Sequence, residues 1–214
     1  MATTATERKL LLDGEWVETG DWLEVASPYD GSVVARVAKA GAVEARAAVD
    51  AAERAMRDPL PAHKRAEILV RVAGTLGKRA DEVARQIVAE AGKPLKAARV
   101  EVARAMSTYT MAAVEARKLA GEMIPMDASQ AGEGKLAFTQ RLPIGVVGAI
   151  SPFNFPLNLV AHKIAPAPRA SSIQATTRSR SLSEMSGPTS VSSSAGSPTT
   201  SASTFGRKAS RNAA

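Results

Sequence analysis

Residues 146–172 read VVGAISPFNFPLNLVAHKIAPAPRASS, and the rest of the chain is best understood outward from them. The segment 145–151, GVVGAIS, is continuously apolar, as expected of a strand buried on both faces in the middle of an α/β sheet. Behind it, Leu157, Val160, Ala161 and Ile164 recur at helical spacing, with Asn158, His162 and Lys163 on the opposite side. The pattern predicts strand, tight connection, helix. In open α/β sheets ligands bind beyond the carboxyl ends of strands, which is where the connection SPFNFP lies. Pro152 and Pro156 stiffen this loop and Phe153 and Phe155 are its expected anchors, so that Asn154 can be held toward a site at little ordering cost. A turn-forming asparagine is the competing reading. Gly145 and Gly148 do not compose a G-x-G-x-x-G fingerprint and are read as close-packing residues.

Upstream, residues 10–17 and 22–37 read as strands, with turns at Asp13-Gly14 and at SPYDGS. Ala45, Val49, Ala52 and Met56 mark one face of a first helix, which Pro59 and Pro61 end. Ala66, Leu69, Val70 and Ala73 mark a second. A third is expected to begin with Asp81 as N-cap and to turn Val83, Ala84, Ile87, Val88 and Ala91 inward. In EAGKP, residues 90–94, Gly92 is a left-handed C-cap and Pro94 prevents continuation, a local explanation that requires no function. A long helix follows from Leu95 to about Leu119. KLAFTQRLP, residues 135–143, reads as a half-buried strand through Leu136, Phe138 and Leu142.

The sequence changes character after Ala167. Residues 168–214 are rich in Ser, Thr, Arg, Ala and Pro, and they carry Arg169, Arg178, Arg180, Arg207, Lys208 and Arg211 against Glu184 alone. They hold most of the chain's formal charge of +7. Such a composition buries too little apolar surface to offset its ordering entropy, so disorder is expected. With Phe205 as its single aromatic, the tail lacks the stacking residues of a single-strand binder, and no specific nucleic-acid partner is expected. No apolar run reaches membrane-spanning length, no signal-peptide core is present, and a cytoplasmic protein without a membrane partner is expected. Cysteine is absent and only His63 and His162 could supply imidazole, which argues against any metal site.

DGEWV, SPYDGS, EAGKP and above all PIGVVGAISPFNFPLNLVAHKIAPA together resemble the NAD(P)-dependent aldehyde dehydrogenases over residues 10–167. The resemblance implies N-terminal strands and helices plus the first strand, loop and helix of a Rossmann-like coenzyme domain, here incomplete. It makes residues 1–167 the family portion and 168–214 a separate tail. It implies NAD or NADP as cofactor and a small aldehyde as substrate, oxidised to a carboxylic acid. In the family a cysteine thiolate attacks the aldehyde, and the FNFP asparagine donates to the developing oxyanion, a role that falls on Asn154. Ile150, Ser151, Pro152 and Phe153 become nicotinamide-side contacts. A chain without cysteine is expected to be inactive on its own, and the break after Ala167 resembles a shifted reading frame. The alternative is a non-catalytic module that assembles with an intact relative. Homo-oligomers are an expectation from the resemblance, and aggregation one from the edges of the 146–150 strand.

Overall fold

The computed structural model describes residues 6–167; the expectations for the basic tail lie outside the described residues. The N-terminal portion forms two small sheets. β1 (Thr6–Arg8) lies parallel to β5 (Val33–Ala38), which pairs antiparallel with β4 (Trp22–Ala26), giving the order β1-β5-β4. β2 (Leu10–Leu12) and β3 (Glu15–Val17) form a hairpin with Leu10 opposite Val17. Its turn is Asp13-Gly14, at φ 51° and 84°, the positive pair that matches the right-handed twist of a two-residue hairpin. The SPYDGS reversal closes as expected: Gly31 N–H donates to Ser27 O at 2.9 Å, and Ser32 donates to Asp30 Oδ1 from its backbone N–H and its hydroxyl.

Four helices follow: α1 (Ala42–Ala55), α2 (Ala62–Lys78), α3 (Ala80–Ala91) and α4 (Leu95–Lys118). The core is largely alanine. Ala66, Leu69 and Ala73 of α2 meet Ala105, Tyr109, Ala113 and Ala116 of α4, and the C-terminal helix α5 (Asn158–Ile164) adds Ala161 from its last turn, with Ala165 just beyond. Small side chains at these positions let the helices pack with little side-chain entropy lost. Ala84 and Ile87 of α3 pack with Ala98 and Val102 around the next turn of α4.

Three local expectations are corrected. α1 buries Ala48, Ala51 and Ala52 rather than the face through Ala45 and Val49, both of which are exposed. The helix packs on β2, and small alanines, not the larger valine, suit that contact. α3 begins at Ala80 with Arg79 in the N-cap position, so Asp81 lies in the first turn instead of capping it. Val70 is half exposed while its neighbour Leu69 takes the buried place.

The two late strands differ most from expectation. Residues 135–143 contribute only β7 (Ala137–Phe138), paired antiparallel with β6 (Met123–Ile124), and Leu136, Phe138 and Leu142 are all exposed. The apolar run 144–150 forms no strand and pairs with none among the described residues, and Ile144 and Ile150 are 88% and 91% exposed. A buried parallel strand needs neighbours on both edges and layers on both faces, and neither is supplied within residues 6–167.

Candidate functional site

The loop between the 144–150 segment and α5 is held from below by a corner of the helical layer. Gly92 ends α3 in the left-handed conformation, φ 62° and ψ 18°, and its N–H donates to Val88 O. Pro94 then occupies the N-cap position of α4. The C-cap reading of EAGKP is therefore correct as far as it goes. Between those two residues stands Lys93, which the turn aims at the loop.

Lys93 Nζ donates to Glu101 Oε2 at 2.5 Å and to the Asn154 carbonyl at 2.7 Å, and it sits 3.9 Å from the centroid of the Phe155 ring. An ammonium over an aromatic face at that distance gains from the ring quadrupole. Glu101 is 1% exposed, on the buried face of α4 with Ala98, Val102 and Ala105. Its other oxygen, Oε1, accepts from the backbone N–H of Leu157 at 2.9 Å and of Asn158 at 3.1 Å. Those are orphan donors at the start of α5, which need an acceptor from outside their own helix. A buried carboxylate is tolerated only when it is paired and hydrogen-bonded, and here one ammonium and two N–H groups meet that need.

This arrangement changes the expected picture of the loop. Phe155 is an anchor, half-buried beneath Lys93, whereas Phe153 is 42% exposed. Asn158, expected on the solvent side of its helix, is 6% exposed because its N–H faces Glu101. Its side-chain oxygen is buried without a hydrogen-bond partner among the described residues.

Asn154 itself is exposed, and its side-chain amide makes no hydrogen bond among the described residues. The structure thus brings Ile150, Ser151, Pro152, Phe153 and Asn154 together as one stretch at the mouth of the loop, all exposed except the half-buried Ser151. No group of three or more His, Asp or Glu side chains capable of holding a metal occurs among the described residues. On the other flank of α5, an open pocket of about 620 Å³ lies against α4, lined mainly by apolar groups with Arg65, Ser107, Thr108 and His162 among them. The Arg65 guanidinium also donates to the Leu60 carbonyl.

Sequence reasoning missed Glu101 and the second role of Lys93. The signal for Glu101 was present: an acid at a position of α4 that the helical period assigns to the apolar stripe. For Lys93 there was none, because its loop partner is 61 residues away.

A family model described as the aldehyde dehydrogenase family matches residues 16–171. Lactaldehyde dehydrogenase of Methanocaldococcus jannaschii is 41% identical over 160 residues, covering 74% of this chain but 33% of that enzyme. Aldehyde dehydrogenase 21 from Physcomitrella patens, solved with the reaction product succinate, aligns at 38% identity and a TM-score of 0.73, over 79% of this chain and 36% of its own. NADP-dependent glyceraldehyde-3-phosphate dehydrogenase from Bacillus halodurans, solved with NADP, aligns at 35% identity and a TM-score of 0.72, over 77% and 36%. The chain therefore spans about a third of the length of these relatives. With the motifs around Lys93 and Asn154 in place, an α/β fold shared at this identity, and a family match over most of its length, the chain belongs to the aldehyde dehydrogenase family.

Proposed function

We propose that this chain supplies the oxyanion-donor side and the nicotinamide-side wall of an NAD(P)-dependent aldehyde-oxidising site. The observation that carries this reading is the Asn154 side-chain amide, exposed and without a hydrogen-bond partner among the described residues, on a loop whose backbone is braced by Lys93 and Glu101. An amide N–H aimed at an aldehyde oxygen binds more tightly as that oxygen gains negative charge, so it favours the transition state over the ground state. A bound nicotinamide coenzyme accepts the hydride in such a reaction. The open edge formed by Ile150, Ser151, Pro152 and Phe153 fits the flat nicotinamide end of that coenzyme: the residues are mostly apolar, and Ser151 adds a hydroxyl. The described residues offer no glycine-rich phosphate cradle beside it.

The substrate class that fits best is a small hydroxylated aldehyde. The pocket beside α5 combines an apolar lining with the hydroxyls of Ser107 and Thr108 and the imidazole of His162, and the relative from Methanocaldococcus jannaschii is a lactaldehyde dehydrogenase. The chain contains no cysteine, so no residue of it is assigned the nucleophile's role, and the purified 214-residue protein is expected to oxidise no aldehyde by itself. That composition also favours a second reading, a non-catalytic module that assembles with an intact relative. Co-elution of the two on size exclusion, with this chain inert alone, distinguishes it.

The experiment that tests the first reading grafts residues 143–165 into the equivalent place of the lactaldehyde dehydrogenase relative. The graft should retain turnover, and Asn154→Ala within it should lower kcat by roughly 10² to 10³ with the coenzyme KM little changed. A graft whose kcat is indifferent to that substitution removes Asn154 from the oxyanion role.

A further inference from the structure

We propose that Lys93 and Glu101 act as a positioning pair for Asn154, fixing the main chain from the carbonyl of the oxyanion donor to the start of α5. This deepens the function proposed above and rests on it. Neither residue touches the exposed face of the loop, so neither is a catalytic group. They act on its main chain. Lys93 draws in the carbonyl of Asn154 itself, which sets the direction of the peptide plane that carries the side chain. Glu101 takes the N–H groups of Leu157 and Asn158, which sets where α5 begins. The Lys93–Glu101 contact, with side chains 15% and 0% exposed, ties the two grips into one unit. The three residues between the gripped atoms of Asn154 and Asn158 include Pro156, whose fixed φ limits the remaining freedom. The loop is thus held as a short, stiff span.

The pair differs from an ordinary stabilising ion pair in where its influence falls. Its partners are three main-chain atoms and the Phe155 ring of one connection, so loosening it should be felt at residues 153–158 before it is felt in the α2–α4 core. An ion pair that merely braced the α3–α4 corner would leave the loop as ordered as before.

The test uses the full chain, labelled with nitrogen-15, and the Lys93→Met, Lys93→Arg and Glu101→Gln variants. In the parent, amide order parameters for residues 153–155, 157 and 158 should match those of α4, about 0.85. The Leu157 and Asn158 amides should exchange slowly. In Lys93→Met, order parameters at residues 153–155 should fall below about 0.6, with those of α2 and α4 unchanged. Lys93→Arg, which keeps the charge and can donate to both oxygens, should recover most of the loss. In Glu101→Gln, exchange at Leu157 and Asn158 should quicken about tenfold relative to the α2–α4 core amides. Loop order that survives Lys93→Met, or a change spread evenly over the chain in all three variants, overturns the proposal. Should the Met and Gln variants fail to fold, free exchange at Leu157 and Asn158 in the parent overturns it equally. These readouts are independent of turnover: a grafted enzyme indifferent to Asn154→Ala sinks the oxyanion reading, whereas an ordered loop without Lys93 sinks the positioning one.

Discussion

Arg99 on α4 reaches back across the α3–α4 corner and places both Nε and Nη2 on the same oxygen of Asp81, Oδ1, at 2.9 and 2.6 Å. Arg85, one turn along α3, holds the other oxygen at 3.1 Å. The two guanidinium groups, Arg99 first and Arg85 second, keep the Asp81 carboxyl below its ordinary value of 3.8. A depressed carboxylate pKa contributes stability that is present above the unfolded value and is lost as pH falls through the folded one. Asp81→Asn should therefore lower Tm slightly near pH 7. The difference from the parent should shrink as pH falls below 4 and as salt rises, since the pair is solvent-exposed and screened. Thermal melts at pH 7 and pH 3, each with and without added salt, measure this.

Gly92 faces two constraints at once. Its φ of 62° disfavours any side chain, and a Cβ there would come within 2.7 Å of Pro28 Cγ, an atom of a rigid ring. Gly134 shares the left-handed backbone, φ 71°, with nothing within 4 Å of its would-be Cβ. Gly134→Ala should cost about 1 kcal/mol, the backbone term alone. Gly92→Ala should cost at least about 1 kcal/mol more, because Pro28 cannot yield cheaply. Urea denaturation of the two variants separates the terms, and equal losses would show that the Pro28 contact gives way without strain.

Ala105 is fully buried on α4 among the small residues of α2. Ala105→Leu inserts three carbon atoms into that contact and should destabilise by about 1–3 kcal/mol, with local repacking visible as broadened core resonances. A neutral result would mean that the helices separate freely.

Tyr109 is 8% exposed in the same cluster, and burial pushes its phenol above the ordinary value of 10. A raised phenol pKa favours the folded state below the unfolded value, and the advantage is lost as pH climbs through the folded one. In a Tyr29→Phe background, which leaves Tyr109 as the single tyrosine, the ultraviolet titration should rise above pH 10 and coincide with loss of helical circular dichroism. Titration at or below 10 with the fold intact contradicts the packing described for Tyr109.

Backbone punctuation was readable from sequence wherever its cause was local. Asp13-Gly14, the Asp30 to Ser32 turn and the Gly92 cap each follow from a residue's own conformational preference, and all three stand as expected. The α1 face and the strands at 135–143 and 144–150 were misread, because they depend on what lies opposite. Apolar spacing says that a surface wants cover but not which element provides it. Asn154 was found through its setting between stiffening prolines and through resemblance. Glu101 was legible as an anomaly, an acid in an apolar stripe, while the Lys93 contact to Asn154 is a product of tertiary assembly alone.

Apart from the Phe155 ring beneath Lys93, every loop atom that Lys93 and Glu101 grip belongs to the main chain. A carbonyl is offered by all twenty residue types and an N–H by all but proline. The grip is therefore blind to side-chain identity at positions 154, 157 and 158. Leu157 packs against the helical core and Asn158 is buried, so it is at the exposed Asn154 that a single substitution changes what the loop presents, and with it the proposed oxyanion donor, without unseating the main chain. Lys93 and Glu101 have no such latitude, and descent should have spared them while their neighbours diversified.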